Sequence, residues 1–359
     1  MIDEKNPTEV WTRSNLLAII PRMNNLPSDD LDHRPIAPAS KMSSVPVIDI
    51  TPLFGGDDSR VVEQISQAAQ TWGFFQVVGH GMLPAQVKQV MSQAQEFFAQ
   101  DDSLKQLVRR TQDNPWGYND QELTKNQKDA KAVFDYTVAG EDGIYGARNQ
   151  WPEGLDQFPI VMLDYLETCT HISLKLMEAF AMGAGLPRHA LAHLFEPIHT
   201  GFVRLNYYPV TDLEGGAQPC DGSTKLGIHH HTDAGALTVL LQDQMSGLQV
   251  YRDGYWHDLA PVPGALVINT GDMMQVLSND LYQAPVHRVL AMTEGQRFSM
   301  PFFLNMAADA IIEPITTLVT PQRSARYRPI TWSEFRRRRS DGDYADYGAE
   351  VQISDYRTP

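Results

Sequence analysis

The apolar residues of the chain repeat with two different periods, and the change between them predicts the order of the elements. Residues 45–50 alternate apolar and polar positions as a strand does, and residues 60–71 repeat every three to four positions as a helix does. Residues 73–81 then form an aromatic and β-branched run bounded by glycines, so a strand, helix, strand unit is expected at the start of the folded body. Helical periods return at residues 84–99 and 158–184, and we expect those helices to brace a sheet.

From residue 202 onward the pattern changes to short apolar runs separated by Gly, Pro, Asn and Asp. The predicted strands are residues 202–208, 236–241, 247–251, 265–269, 273–277, 286–292 and 297–304. A series of short strands with no helix between them is typical of an antiparallel jelly roll or a related sandwich. The predicted fold class is therefore mainly β with flanking helices.

These patterns divide the chain into four predicted regions. Residues 1–44 mix five prolines with polar residues and predict an extended arm with little core of its own. Residues 45–197 are helix-rich with early strands, residues 198–310 form the β core, and residues 311–359 form a helical or extended tail. The arginine run at residues 336–339 is interpreted as a solvated helix end.

Composition and charge exclude several kinds of partner. The 359-residue chain is 42% hydrophobic, has no apolar run near the ~20 residues that span a bilayer, and begins without the apolar segment of a signal peptide. Its formal net charge of -15 repels nucleic acid and anionic membranes, so we expect neither as a partner. We expect a soluble, cytoplasmic protein in which Cys169 and Cys220 are free thiols.

Two histidines and one aspartate form a candidate metal site. His231 and Asp233 are two positions apart, so on a strand their side chains project from the same face, and His287 lies on a later predicted strand. Two imidazoles and one carboxylate leave open positions on an ion for a second ligand and for oxygen, a donor set typical of non-haem iron. A His-x-Asp pair alone is weak evidence because short motifs occur by chance. His229 and His230 are interpreted as non-ligands, with His229 the better candidate to support a ligand.

A candidate anion site follows ten residues after the second histidine. Arg297 and Ser299 share a strand face, and an arginine fork with a hydroxyl suits a carboxylate of 2-oxoglutarate. Asn206 and Tyr208, which share a face with Arg204 on an earlier strand, are positioned to donate to the same acid. A surface salt bridge is the alternative role for Arg297, and spacing alone does not decide between the two.

These residues belong to an ordered set of motifs. In sequence order the motifs are NYYP at 206–209, HTD at 231–233, LTVLLQD at 237–243, GLQV at 247–250, NTGD at 269–272, LSN at 277–279, HRV at 287–289 and RFS at 297–299. In this order the chain resembles the isopenicillin N synthase-like branch of the iron(II)- and 2-oxoglutarate-dependent dioxygenases. VPVID at 45–49 and GFFQVVGHG at 73–81 are similar to the N-terminal region of that family, so the likeness covers nearly everything after the arm.

The resemblance implies a distorted double-stranded β-helix, or jelly roll, with iron(II) held by His231, Asp233 and His287. It also implies that Arg297 and Ser299 anchor 2-oxoglutarate with help from Tyr208. With O2 as the third reactant, such an enzyme hydroxylates or desaturates a small-molecule substrate and releases succinate and CO2.

Three aromatic residues are candidates for contact with the substrate. Phe303 lies six residues after Arg297 on the same predicted strand face, and a core position is its alternative role. Phe134 and Tyr118 lie in segments that line the pocket mouth in the similar family. The polar loop at residues 212–225 either rims the entrance or is a tolerated surface insertion.

Two other functions remain open at this point. The first is an iron oxidase of the same fold, of the oxidative cyclase type, that does not use 2-oxoglutarate. The second is a non-catalytic small-molecule-binding protein on the same scaffold. Succinate formed per O2 consumed distinguishes the first, iron binding distinguishes the second, and the sequence does not decide between a monomer and a homodimer.

Overall fold

A parallel strand pair with a crossover helix begins the folded body, as the sequence predicts. Strand β1 (Val47–Asp49) is followed by helix α1 (Ser59–Thr71) and strand β2 (Phe74–Val78), and β1 pairs with β2 in parallel. The structure is a computed structural model that describes residues 28–41, 44–124, 127–138, 147–211, 226–341 and 351–359. The predicted loop at 212–225, and Cys220 within it, lie outside the described residues.

A large sheet of eight strands runs through the molecule in the order β1-β2-β12-β9-β14-β7-β6-β3. Its other strands are β3 (Gly117–Asn119), β6 (Ala132–Thr137), β7 (Phe202–Tyr208), β9 (Leu237–Gln242), β12 (Leu266–Thr270) and β14 (Arg297–Leu304). Every residue of the central strands β9 and β12 is buried, which explains their almost continuous apolar sequence. Neither β3 nor β6 was predicted, because β3 has only three residues and Asp135 interrupts the apolar run of β6.

Helices cover one face of this sheet. α2 (Pro84–Ala99) and α4 (Phe158–Gly183) both contact β14, and the short helix α3 (Asp102–Leu107) follows α2. The two longer helices match the predicted helical segments closely. The Tyr165 hydroxyl of α4 donates to the Met300 carbonyl of β14 at 2.6 Å, and Cys169 is a free, buried thiol on the same helix whose pKa is raised to about 12 by burial.

A second sheet of four strands, in the order β11-β10-β13-β8, completes the β core. Its strands are β8 (Leu226–His231), β10 (Leu248–Arg252), β11 (Tyr255–Asp258) and β13 (His287–Leu290). β8 and β13 are antiparallel neighbours in which His231 stands directly opposite His287. The mainly β class with flanking helices is therefore confirmed, and the two facing sheets give the predicted jelly roll.

Two short ladders lie outside these sheets. One pairs β4 (Leu123–Thr124) with β5 (Gln127–Lys128), and the other pairs β15 (Ile311–Ile312) with β16 (Ile330–Thr331). Helix α6 (Trp332–Arg339) follows β16 directly. Among the described residues no helix has the length and apolar character that crossing a membrane requires.

The strand predicted at residues 273–277 is wrong, because this segment is helix α5 (Asp272–Leu277). A buried apolar run of this length does not distinguish a strand from a helix. The amides of Asp272 and Met273 donate to the carbonyls of Asp233 and Gly235 at 2.7 and 3.1 Å, and these bonds fix the start of the helix. A Cβ at Gly271 would collide with the Gly235 carbonyl oxygen, so only glycine allows this approach.

The interpretation of residues 336–339 as a solvated helix end is correct for Arg337 and wrong for Arg339. Arg337 is largely exposed, but Arg339 is buried. Arg339 donates through Nη2 to the carbonyl and hydroxyl of Thr232 at 3.4 Å, so α6 reaches the turn that carries Asp233. The division of the chain into four regions stays a prediction.

Candidate active site

The three predicted metal ligands come together between the two sheets. The Nε2 atoms of His231 and His287 each lie 3.7 Å from Oδ1 of Asp233, and the two imidazole rings are 4.3 Å apart between centroids. Within the described part of the chain, this is the one group of three or more His, Cys, Asp or Glu side chains whose donor atoms all lie within 4.8 Å of one another. His231 ends β8 and His287 begins β13, but Asp233 lies in the turn after β8 and not on the strand as expected.

Backbone carbonyls set the orientation of both imidazole rings. Nδ1 of His231 lies 2.8 Å from the His229 carbonyl, and Nδ1 of His287 lies 3.1 Å from the Pro285 carbonyl. A carbonyl only accepts, so each Nδ1 carries the proton and each Nε2 has its lone pair free. The two Nε2 atoms that carry these free lone pairs are the ring atoms that lie near Asp233.

Hydrogen bonds from two side chains set the orientation of the Asp233 carboxylate. Its Oδ2 accepts hydrogen bonds from the Thr238 hydroxyl at 2.5 Å and from Nδ2 of Asn269 at 2.8 Å, which leaves Oδ1 to face the histidines. Burial alone would raise the pKa of Asp233, but the His287 and His231 rings and these two hydrogen bonds lower it below its ordinary value. The group is therefore a carboxylate at neutral pH.

Burial and the nearby His287 ring lower the pKa of His231 well below its ordinary value. A neutral imidazole and an ionised carboxylate are the forms that bind metal ions. Two imidazole nitrogens and one carboxylate oxygen on one side of an ion match the donor set of non-haem iron(II) oxygenases. The residues present therefore fit an iron(II) ion.

The predicted anion anchor is a buried arginine with unused donors. Arg297 is 1% exposed, and its Nη2 donates to Oε1 of Gln242 at 2.9 Å. Its Nε and Nη1 are also buried and have no hydrogen-bond partner among the described residues. A buried donor left without a partner costs about 1–3 kcal/mol, and more when it is charged. A carboxylate supplies the two acceptors that these atoms lack.

Strand register brings the other predicted anchor residues beside Arg297. Between β14 and β7, Arg297 stands opposite Tyr208, and Ser299 stands opposite Asn206. The Arg297 guanidinium lies over the Tyr208 ring at 5.0 Å, and Nδ2 of Asn206 lies 3.4 Å from the Ser299 hydroxyl. One cavity of about 600 Å³ is lined by these four residues, by all three predicted metal ligands and by Phe303.

Phe134 and Tyr118, in contrast, do not line the cavity. Both are buried in the main core, where the Phe134 ring lies 4.7 Å from that of Phe97. They stand opposite each other on β6 and β3, and the next residue on each strand, Asp135 and Asn119, lines the cavity instead. The sequence prediction selected the correct segments but the wrong side chains, because the adjacent helices bury the face that carries Phe134 and Tyr118.

The side chains of His229 and His230 contact the N-terminal arm and do not join the triad, although the His229 carbonyl supports the His231 ring. Their Nδ1 atoms are 3.2 and 2.9 Å from Oδ2 of Asp32, and the Arg288 guanidinium donates to the Asp32 carbonyl at 2.5 Å. Burial opposes ionisation, but the two histidines lower the pKa of Asp32 below its ordinary value. Asp32 thus joins β8 to β13, the two strands that carry His231 and His287. The residues of the arm that the structure describes pack on the small sheet, where Trp256 Nε1 donates to the Leu31 carbonyl at 2.9 Å.

Several site residues were quoted within motifs but given no role by the sequence reasoning. Thr238 and Gln242 lie four positions apart in the otherwise apolar strand β9, and Asn269 lies in the apolar strand β12. A polar residue inside a buried strand needs a hydrogen-bond partner. The polar residues within these apolar runs were therefore a signal in the sequence that could have identified them as site residues. Arg204, predicted only to share a face with Asn206, forms an ion pair with Asp135 at 2.7 Å and another with Glu122 at 2.7 Å.

Comparison with known proteins agrees with this geometry. A family model described as the 2OG-Fe(II) oxygenase superfamily matches residues 199–306, and a model described as non-haem dioxygenase in morphine synthesis N-terminal matches residues 45–154. The first of these ranges contains every candidate metal and anion ligand.

Individual relatives cover most of the chain. Protein DMR6-LIKE OXYGENASE 2 of Arabidopsis thaliana is 32% identical over 317 residues, which span 84% of this chain and 87% of the relative. The solved structure of JOX2 in complex with 2OG, Fe and JA has a TM-score of 0.75 and 26% identity over 94% of this chain and 96% of that one. The structure of a full-length Neurospora crassa protein in complex with alpha-KG and 5-formyluracil has a TM-score of 0.71 and 25% identity over 81% and 93%.

Replacement of Asp32 by Asn tests whether the arm is held through this carboxylate. Because the folded state lowers the pKa of Asp32, its ionised form adds stability above the unfolded pKa of about 4, and that stability is lost as the pH falls further. At pH 7 we expect Asp32→Asn to lower the free energy of unfolding by about 1–2 kcal/mol, and the difference should shrink below about pH 4.

Chemical denaturation measures this free energy. Asp102→Asn, at a side chain that is 71% exposed, is the control and should change it by less than about 0.5 kcal/mol. Equal stability of Asp32→Asn and the unmutated chain at pH 7 would contradict the role of Asp32.

Proposed function

The chain belongs to the 2OG-Fe(II) oxygenase superfamily, and we propose from this premise which of its residues perform the chemistry. It is an iron(II)- and 2-oxoglutarate-dependent dioxygenase that oxidises a small-molecule substrate and releases succinate and CO2. The assignments to individual residues rest on the geometry of the cavity.

His231, Asp233 and His287 are the proposed iron ligands. In support, each of the three side chains is held by the protein through one atom and has a second atom that is free to bind an ion. These free atoms lie within 4.8 Å of one another. The carbonyls of His229 and Pro285 hold the two rings, while Thr238 and Asn269 hold the carboxylate. Such outer hydrogen bonds fix the tautomer and direction of each ligand, which strengthens metal binding.

Arg297, Ser299, Tyr208 and Asn206 are the proposed binding site for 2-oxoglutarate. The observation that carries this proposal is the pair of buried, unpartnered nitrogens on Arg297 within the cavity that holds the triad. Gln242 holds the third nitrogen, so the guanidinium has one defined orientation. The far carboxylate of 2-oxoglutarate is the group that these donors bind, and the oxo-acid end is left to face the metal ligands.

Iron(II) and 2-oxoglutarate, once bound, supply the oxidising chemistry by which O2 is consumed and a C–H bond of the substrate is oxidised. The residues of the chain position that bond and exclude water, and orientation of this kind provides much of the rate of such reactions. Phe303 is the proposed substrate contact, because it is half-buried and lines the same cavity.

The substrate is proposed to be a compact organic molecule. A cavity of about 600 Å³ lies within the range of sites that enclose a single small molecule. The solved relatives have JA and 5-formyluracil bound, and both relatives also hold the oxo acid. Cytoplasmic location, the absence of a nucleic-acid partner and the choice between monomer and homodimer stay predictions.

The ratio of products tests the function as a whole. Purified chain supplied with Fe(II), 2-oxoglutarate, ascorbate and candidate substrates should form one succinate per O2 consumed, as measured by an oxygen electrode and chromatography. Substrate-dependent O2 uptake without succinate would indicate the oxidase alternative.

Replacement of Asp233 tests the metal assignment. Asp233→Ala removes the one anionic ligand, so we expect Mn(II) binding to weaken by more than about 100-fold and succinate formation to be lost. Calorimetry and the succinate assay measure these effects, and circular dichroism should show an unchanged fold. Asp253→Ala, at a side chain that is 66% exposed, should behave as the unmutated chain does. Full activity of Asp233→Ala would refute the triad.

Replacement of Arg297 tests the anion assignment. Arg297→Leu removes two charge-assisted donors, so the concentration of 2-oxoglutarate needed for half-maximal rate should rise by about 10- to 100-fold while Mn(II) still binds. Arg60→Leu, at an exposed position of α1, is the control. An unchanged requirement for 2-oxoglutarate in Arg297→Leu would place the anchor elsewhere.

A further inference from the structure

The cavity is rich in positive charge although the chain is acidic. Seven lysine and arginine side chains line it in a chain whose formal net charge is -15. Arg297 is assigned to 2-oxoglutarate. Five others each have a carboxylate within 3.8 Å, and these are Arg109, Arg110, Lys131, Arg204 and Arg339. The seventh, Arg336, has no carboxylate within ion-pair distance among the described residues.

Arg336 is fixed at the cavity by the helix that carries it. Arg336 and Arg339 are three positions apart on α6, so their side chains lie on the same face of the helix. Arg339 is buried and donates a hydrogen bond to Thr232, which holds that face of α6 toward the turn that carries Asp233. The Arg336 guanidinium lies 4.8 Å from the centre of the Phe202 ring, and this ring also lines the cavity.

A buried donor without a partner lies beside the same aromatic ring. Trp116 is 1% exposed and lines the cavity, yet its Nε1 has no hydrogen-bond partner among the described residues. Its ring lies 5.9 Å from that of Phe202. A buried N–H without an acceptor is rare in folded proteins, and a carboxylate in the cavity would supply the acceptor that this N–H lacks.

We infer that Arg336 and the indole N–H of Trp116 bind the carboxylate of an organic-acid substrate whose apolar part lies against Phe202 and Phe303. The rings of Phe202 and Phe303 are stacked 4.8 Å apart and form the aromatic wall of this subsite. A guanidinium and one N–H offer donors to the two oxygens of a carboxylate, whereas a neutral amide has one acceptor oxygen and no charge. The inference rests on the proposed function, because it concerns the substrate of that site.

Matched pairs of probes test the charge preference. Phenylacetate is compared with phenylacetamide, and indole-3-acetate with indole-3-acetamide, by calorimetry on the full chain loaded with Mn(II). 2-Oxoglutarate is kept saturating so that no probe occupies Arg297. We expect at least one acid to bind about tenfold or more tightly than its amide, the size expected for hydrogen bonds to a charged group.

Variants locate that preference. Arg336→Gln should abolish it, Arg336→Lys should keep part of it, and Trp116→Phe should weaken acid binding while it preserves the ring. Arg337→Gln is the matched control, because its side chain is 68% exposed on the same helix, and it should keep the full preference.

The failure of this inference is distinguishable from failure of the proposed function. A chain that does not bind 2-oxoglutarate before the probe is added would contradict the proposed function. A chain that binds 2-oxoglutarate but takes acid and amide equally, binds no acid, or keeps its acid preference in Arg336→Gln would overturn the inference alone.

Discussion

A buried carboxylate that must be held in one direction determines the centre of this molecule. Asp233 lies beyond the end of a strand, where nothing in regular secondary structure would fix it. Thr238 and Asn269 bind one carboxylate oxygen, and the start of α5 binds the backbone carbonyl of Asp233. An isolated buried charge is costly, and these hydrogen bonds offset part of that cost for the Asp233 carboxylate. Strands β9 and β12 of the large sheet and helix α5 thus together hold Asp233 in place.

The two sheets supply different parts of the site. The small sheet brings His231 and His287 into register and is tied to the arm through Asp32, whereas the large sheet supplies the Asp233 tethers and the anion pocket of Arg297. On the small sheet, the Nε2 lone pairs of His231 and His287 are free because each Nδ1 donates to a backbone carbonyl. On the large sheet, Nε and Nη1 of Arg297 have no hydrogen-bond partner among the described residues. Under the proposed assignment, the metal ion binds the free imidazole nitrogens and the oxo acid binds the free guanidinium nitrogens.

Residue spacing predicted those parts of the site that follow from strand geometry. The i, i+2 pairs Arg297 with Ser299 and Asn206 with Tyr208 do share a face, because alternation along a strand is strict. Residue spacing did not predict the structure where long-range contacts, and not strand alternation, decide it. Residues 273–277 are helical because the first amides of α5 donate to the carbonyls of Asp233 and Gly235, and no local pattern encodes that distant partner. Tyr118 and Phe134 face the helices because long-range packing selects the face, and Asp32 reaches its histidines from almost 200 positions away.

A crystal structure of the chain grown with Mn(II) and 2-oxoglutarate without oxygen would test how these parts act together. The ion should be bound by Nε2 of His231, Nε2 of His287 and Oδ1 of Asp233, with the far carboxylate of 2-oxoglutarate on Nε and Nη1 of Arg297. An ion bound at any other group of side chains, or a far carboxylate that does not contact Arg297, would contradict this description of the site.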